Sequence, residues 1–124
     1  MTTPVLVVED EEPIRELVRG LLVDEGYPVI EAANGAAALE LARREHLALV
    51  LTDLMMPVMG GAALCRALKG DPQTRSVPVI VMTASGQTAA AQSGADAYLR
   101  KPFDLDRLLD LVTRYAGLPT TDGR

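Results

Sequence analysis

Residues 50–57, which read VLTDLMMP, decide how the rest of this sequence is interpreted. The stretch begins with Val and Leu and shows no alternation of apolar and polar residues, which is typical of a strand covered on both faces. Asp53 stands where this strand ends. In open α/β sheets, ligands bind outside the carboxyl ends of the strands. Asp53 is therefore the first candidate for a functional residue.

Three other apolar runs end in polar side chains in the same way: 5–8 before Glu9 and Asp10, 79–82 before Thr83, and 97–99 before Lys101. If all of these strands lie parallel, their polar ends converge on one edge of a single sheet. We expect that edge, around Asp53, to carry the function.

Helical segments separate the predicted strands, which indicates a parallel sheet covered on both faces. The predicted strands are 4–9, 28–32, 48–53, 77–82 and 96–99. Helices are expected after Asp10, over 35–45, between 61 and 70, over 86–94, and from Asp104 onwards. Residues 1–119 should thus form one doubly wound α/β domain of the (βα)5 type, followed by a polar tail at 120–124.

The first and last helices carry apolar residues at the spacing of one helical face. In the first helix, the residues expected to face inward are Ile14, Leu17, Val18, Leu21 and Leu22. In the last helix, the residues expected to be buried are Leu105, Leu108, Leu109 and Val112.

The composition argues against several classes of function. The 124 residues carry 12 basic and 17 acidic side chains, for a net charge of −5, and only 3% are aromatic. A nucleic-acid partner is disfavoured, because phosphate backbones require clustered Lys and Arg, and base stacking requires aromatic residues. No apolar run reaches the ~20 residues of a membrane span. We therefore expect a cytoplasmic protein without membrane contact.

Cys65 is the only cysteine and His46 the only histidine. A lone thiol makes neither an internal disulfide nor a multi-cysteine zinc site. Cys65 is expected to be a buried filler in the third helix, and His46 a surface or loop residue.

The acids that follow the first strand have two explanations. Negative charge is favourable in the first turn of a helix, and this accounts for Glu11 and Glu12. Glu9 and Asp10 would instead crowd beside Asp53, which is unfavourable unless a cation offsets the charge. A hard divalent ion with oxygen ligands, Mg²⁺ first, is the natural candidate.

Each strand-end residue taken alone also has a structural explanation. Asp53 could be a turn residue, Thr83 a hydroxyl bonded to backbone, and Lys101 a solvated cation. Together, however, acids, a hydroxyl and a lysine at four parallel strand ends make up the groups that phosphoryl transfer requires. One carboxylate is the nucleophile, a metal ion offsets charge, and the lysine and hydroxyl hold the phosphoryl oxygens.

Four segments resemble the receiver domain of two-component response regulators: VEDE at 8–11, DLMMP at 53–57, VMTA at 81–84, and YLRKPF at 98–103. The resemblance runs from end to end of the chain. It implies a flavodoxin-like sheet of order 2-1-3-4-5 and a signalling switch rather than an enzyme acting on a diffusible substrate. It also implies a histidine kinase or histidine phosphotransfer protein as phosphodonor, and a downstream protein partner. With no output domain predicted after the last helix, the chain would be a stand-alone receiver or a fragment.

The resemblance assigns the phosphoryl group and the metal to particular residues. Asp53 corresponds to the phosphoacceptor. Glu9 and Asp10 correspond to the carboxylates that bind Mg²⁺, with Asp53 and the backbone carbonyl of Met55 as further ligands. Lys101 would pair with the phosphoryl group.

The same resemblance assigns the conformational switch. Thr83 would move to hydrogen-bond the phosphoryl group, and Tyr98 would rotate inward in response. The peptide bond between Lys101 and Pro102 would be cis, as it commonly is in the family.

The sequence departs from the family pattern in three places. Gly60 replaces an acid that caps the third helix, which we expect to leave a more mobile loop. The segment from Thr83 to Lys101 is shorter than usual by roughly one helical turn, so the fourth helix should be short or partly unwound. In the family, the positions that Met55 and Ser85 occupy flank the path of an attacking water; because Met55 cannot orient water, we expect slow hydrolysis of the phosphorylated state.

Other classes of function fit the sequence less well. A degenerate receiver that acts only as a protein-binding module would lack the acceptor, the acid pair or the lysine. A Mg²⁺-dependent aspartyl phosphohydrolase of the haloacid-dehalogenase type needs a second Asp where Met55 stands. A flavodoxin-like cofactor binder needs a phosphate-cradling loop after the first strand, where this chain has acids.

Overall fold

The computed structural model describes residues 3–84 and 94–119. Its strands are β1 (Val5–Val8), β2 (Val29–Ala32), β3 (Leu49–Asp53), β4 (Val79–Thr83) and β5 (Ala97–Arg100). They form one parallel sheet in the order β2-β1-β3-β4-β5. Both the parallel sheet and this strand order agree with the expectations from the sequence.

The described helices are α1 (Glu12–Asp24), α2 (Gly35–Arg44), α3 (Gly61–Lys69) and α4 (Leu105–Ala116). The side chain of Asn34 caps α2 by accepting the Ala37 amide at 2.9 Å, and Asp104 caps α4 by accepting the Asp106 amide at 2.9 Å. Within the described part of the chain, no helix combines the length and the apolar character that crossing a bilayer requires. The predicted helix at 86–94 lies outside the described residues except for Gly94.

Side chains alternate along each buried strand, so both faces of the sheet are apolar. Helices cover both of these faces. On β1, Leu6 and Val8 join a core with α2 and α3, whereas Val5 and Val7 join a second core with α1 and α4. Every residue of β1, β3 and β4 is buried. Cys65 lies in the first of these cores and His46 is exposed, as predicted.

Two predicted core positions are wrong. The side chains of Leu17 and Leu105 are 55% and 41% exposed, although both fall on the apolar faces of their helices. Val18 and Leu22 are the residues of α1 that are buried against the sheet. Leu17 lies on the flank of the same helix and lines a groove instead of the core. Helical periodicity identifies the face of a helix, but not whether a neighbour fills the space beside it.

The first residue of α3 is held close to the end of β3. The Gly61 amide donates to the Leu54 carbonyl at 2.9 Å, and a Cβ atom at Gly61 would overlap the carbonyl oxygen of Asp53. Only glycine allows this approach, so Gly61 fixes how closely α3 follows the strand that carries Asp53.

Replacing Gly61 by Ala should lower the free energy of unfolding by about 1 to 3 kcal/mol, because the backbone must shift to admit the new methyl group. Gly20 is the matched control, since nothing lies within 4 Å of a Cβ built on it in α1. Gly20→Ala should raise the free energy of unfolding by about 0.5 to 1 kcal/mol. Urea unfolding of both variants measures the contrast, and equal stabilities would contradict it.

Candidate functional site

The carboxyl edge of the sheet brings together the predicted strand-end residues. Asp53 and Thr83 are the last residues of β3 and β4, and Glu9 and Lys101 directly follow β1 and β5. The register of the sheet places these strand ends side by side, since Val8 pairs with Thr52, Asp53 with Met82, and Thr83 with Arg100. The Lys101 amide also donates to the Thr83 carbonyl at 2.8 Å, which extends the pairing of the last two strands.

The ammonium group of Lys101 bridges two carboxylates. Its Nζ lies 3.1 Å from Oε1 of Glu9 and 3.0 Å from Oδ1 of Asp53. Glu9 is fully buried and Asp53 is nearly so. Asp10 is exposed, but one carboxylate oxygen from each of Glu9, Asp10 and Asp53 lies within 4.8 Å of the others. The cluster thus holds three acids, of which Lys101 pairs with two, and this leaves an excess of negative charge.

Burial and this crowding change the affinity of the site for protons. Burial raises the pKa of Glu9 above its ordinary value of 4.5, and the nearby Asp53 carboxylate adds to the rise, against the lowering effect of Lys101. Burial by itself would lower the pKa of Lys101, but its hydrogen bonds to Asp53 and Glu9 outweigh burial and raise it. Lys101 therefore stays charged at neutral pH, and the acids favour a further positive charge.

The oxygen atoms of the three acids are suitable ligands for a hard divalent cation. Such ions prefer carboxylate, carbonyl and water oxygens, and they offset the repulsion that the acids otherwise impose on one another. Glu9, Asp10 and Asp53 could therefore hold Mg²⁺.

The turn between β1 and α1 has supports that the sequence alone did not reveal. The Glu11 amide donates to Oε2 of Glu9 at 3.3 Å, and Nη1 of Arg15 donates to the Glu9 carbonyl at 2.8 Å. Nε of Arg15 also pairs with Glu31 on β2 at 3.2 Å. Arg15 occupies a polar position of an amphipathic helix, so only the neighbouring strand shows what it contacts.

The remaining predicted site residues lie around this cluster. Thr83 is buried, Tyr98 on β5 is 36% exposed, and Met55 is 71% exposed. The peptide bond between Lys101 and Pro102 is cis. Ser85 lies outside the described residues.

The loop from β3 to α3 has no side-chain cap at its end. Gly60 is the N-cap residue of α3 and offers no side-chain hydrogen bond, as the sequence predicts. Instead, the Met59 carbonyl accepts the Gly35 amide at 3.0 Å, which ties this loop to the start of α2. Backbone hydrogen bonds thus support this loop, although Gly60 lacks the capping carboxylate that the family has at this position.

Replacing Lys101 by Met should lower the free energy of unfolding of the metal-free protein by about 2 to 3 kcal/mol at neutral pH, because buried Glu9 loses its partner. The pKa of Glu9 would rise further above its ordinary value. The loss should therefore be small at acid pH, grow as the pH rises above the pKa of Glu9 in the unaltered protein, and level off above the higher pKa of Glu9 in the variant. Urea unfolding with chelator, at a series of pH values, measures both effects.

The double variant Glu9→Gln, Lys101→Met is the control for this pair. It removes both charges and should regain most of the lost stability. A loss that grows as the pH falls, or no loss in the single variant, would contradict the pairing.

Comparisons with known proteins identify the family of this chain. The family model for the response regulator receiver domain matches residues 5–113. The polar-differentiation response regulator DivK of Brucella ovis is 36% identical over 121 residues, which cover 94% of this chain and 98% of DivK.

Two solved structures share the fold. The receiver domain of sensor histidine kinase PA1611 from Pseudomonas aeruginosa, which has a magnesium ion coordinated in its active site cleft, has a TM-score of 0.87 and 30% identity. The match covers 94% of this chain and 99% of that one. Chemotaxis protein CheY4 of Vibrio cholerae has a TM-score of 0.85 and 31% identity, over 93% and 99% of the two chains. This chain belongs to the receiver domain family of two-component response regulators.

Proposed function

We propose that Asp53 accepts a phosphoryl group from a phosphohistidine of a histidine kinase or histidine phosphotransfer protein. We further propose that Glu9, Asp10, Asp53 and the Met55 carbonyl hold the Mg²⁺ that the reaction requires. Receiver domains are signalling switches, so we expect the phosphorylated Asp53 formed in this step to act by changing the conformation of the chain. The observation that carries the proposal is the Lys101 ammonium, 3.0 Å from Asp53 and beside three clustered acids.

The transfer needs one nucleophile and a place for its charge. A carboxylate oxygen of Asp53 attacks the phosphorus atom, the P–O bond forms as the P–N bond breaks, and the electron pair leaves with the imidazole nitrogen, which then takes a proton from solvent. Mg²⁺, when bound, offsets the charge of the carboxylates and the phosphoryl oxygens. Lys101 offsets further charge, because its ammonium already contacts the nucleophile.

The conformational response would pass through Thr83 and Tyr98. A phosphoryl group on Asp53 brings new acceptor oxygens to the end of β3, and Thr83 ends the neighbouring strand β4. Tyr98 lies next in the sheet, on β5, paired with Val81. Its half-exposed ring can be covered by moving inward, which changes the surface offered to a downstream protein.

Acetyl phosphate with Mg²⁺ should phosphorylate the protein once, and the variant Asp53→Asn should remain unmodified, because the amide is not a nucleophile. Mass spectrometry of the intact protein measures the modification. Asp24→Asn, at the exposed end of α1, is the control and should behave like the unaltered protein. Modification that survives Asp53→Asn would overturn the assignment of Asp53 as the phosphoacceptor.

The rate at which the purified phosphoprotein loses its phosphoryl group in Mg²⁺ tests a second expectation, the slow hydrolysis inferred from Met55.

A groove beside the site suits the partner that carries the phosphohistidine. This α1–α4 groove has a volume of about 390 Å³ and is lined by Ile14, Leu17, Ala84, Lys101, Pro102, Phe103 and Leu105. Its walls are almost wholly apolar, and contiguous exposed apolar surface is typical of protein contacts. Lys101 belongs to both the groove and the acid cluster. We therefore propose that an amphipathic helix of the phosphodonor docks here.

Leu17→Glu should slow phosphoryl transfer from a phosphorylated histidine phosphotransfer domain about tenfold or more, because a charge would be buried against apolar partner surface. Phosphorylation by acetyl phosphate should not change, since a small donor needs no groove. Leu118→Glu is the matched control, because Leu118 is exposed and lies outside the groove. Equal transfer rates for the two variants would contradict the docking proposal.

A further inference from the structure

We propose that Arg15 is a positioning residue for the acid cluster: its guanidinium group fixes the peptide between Glu9 and Asp10, and so sets where both carboxylates lie relative to Asp53. The predicted effect of Arg15 on Mg²⁺ binding rests on the proposed function, because it assumes the metal site proposed there. Arg15 does not contact the reacting atoms. It acts through the backbone of the turn that presents the two acids.

The contacts of Arg15 join three elements of the fold. Its backbone lies in the first turns of α1, where its amide donates to the Glu11 carbonyl at 2.9 Å. Its Nη1 reaches back to the Glu9 carbonyl at 2.8 Å, and its Nε lies 3.2 Å from Oε1 of Glu31 on β2. The side chain is mostly buried, and the planar guanidinium fork offers these two donors in a fixed geometry.

The Glu9 carbonyl is the group at which support from the sheet ends. The Glu9 amide still donates to the Ala32 carbonyl at 3.1 Å, but the pairing of β1 with β2 and β3 ends at Val8. The carbonyl of Glu9 belongs to the planar peptide unit that continues into Asp10. Rotation of that plane would redirect the Asp10 side chain. The bond from Arg15 opposes this rotation.

The two roles that Arg15 could have, a nearby positive charge or a positioning residue, predict opposite effects of its removal on Mg²⁺ affinity. A cation near three acids competes with Mg²⁺, so removing a cation should strengthen Mg²⁺ binding if charge is all that matters. Removing a positioning residue should weaken it, as loss of groups that orient metal ligands typically does, by about tenfold or more.

Arg19 separates the two effects. It lies one helical turn beyond Arg15 and carries the same charge, and its Nε pairs with the other oxygen of Glu31 at 3.3 Å. Among the described residues, no hydrogen bond or ion pair joins Arg19 to the turn that carries Glu9. Arg19→Gln therefore removes the charge and one Glu31 contact, but not the bond to the Glu9 carbonyl.

The test is calorimetric titration of metal-free protein with Mg²⁺. Arg15→Gln should raise the Kd about tenfold or more, whereas Arg19→Gln should leave it unchanged or lower it. Arg15→Lys can keep a single donor and should recover part of the affinity. If Arg15→Gln binds Mg²⁺ as tightly as Arg19→Gln, the positioning role is overturned.

A second measurement does not depend on the metal. Hydrogen exchange of the Asp10 and Glu11 amides in metal-free protein should be faster in Arg15→Gln than in Arg19→Gln, because the turn loses its support. Unaltered protein that binds no Mg²⁺ would refute the metal site of the proposed function, whereas equal exchange in the two variants would refute the role of Arg15. Unfolding curves of both variants show whether a change reflects the turn or the whole fold.

Discussion

One ammonium group shared between two carboxylates is the interaction on which the site depends. Lys101 follows Glu9 by 92 residues, so only the complete sheet brings the two together. Because Glu9 is fully buried, its carboxylate would be unfavourable without that partner. A third acid, Asp10, leaves the cluster short of positive charge. This imbalance lowers the stability of the site and makes a further positive charge favourable there.

The rest of the fold holds these charged groups at the carboxyl edge of the sheet. Each of β1, β3 and β4 is wholly buried, and the change from apolar to polar side chains falls at the same edge of all three. A register shift of one residue would exchange the faces of a strand and move its polar end. Burial of the apolar runs therefore places the acids, and Gly61 holds α3 close behind Asp53.

The strands and the acid cluster were predictable because they depend on local pattern and on one rule of parallel sheets. Asp53 and Glu9 directly end or follow an apolar run, Lys101 comes two residues after one, and parallel strands bring such positions together. Arg15 was not predictable in this way, because its partner Glu31 lies 16 residues away on another element, and no local pattern pairs a helical arginine with a carboxylate on a strand. The exposure of Leu17 was predicted wrongly for a related reason: it depends on how two helices are spaced, not on the period of either.

The α1–α4 groove and the acid cluster are physically coupled, since Lys101 belongs to both. A partner helix in the groove would remove water from the stem of Lys101 and from the space around its ammonium group. Electrostatic interactions strengthen as the local dielectric constant falls, so the pairing of Lys101 with Asp53 and with incoming phosphoryl oxygens would become more favourable on docking. Recognition of the phosphodonor and stabilisation of the transferred charge would then not be independent steps, because the same lysine side chain takes part in both.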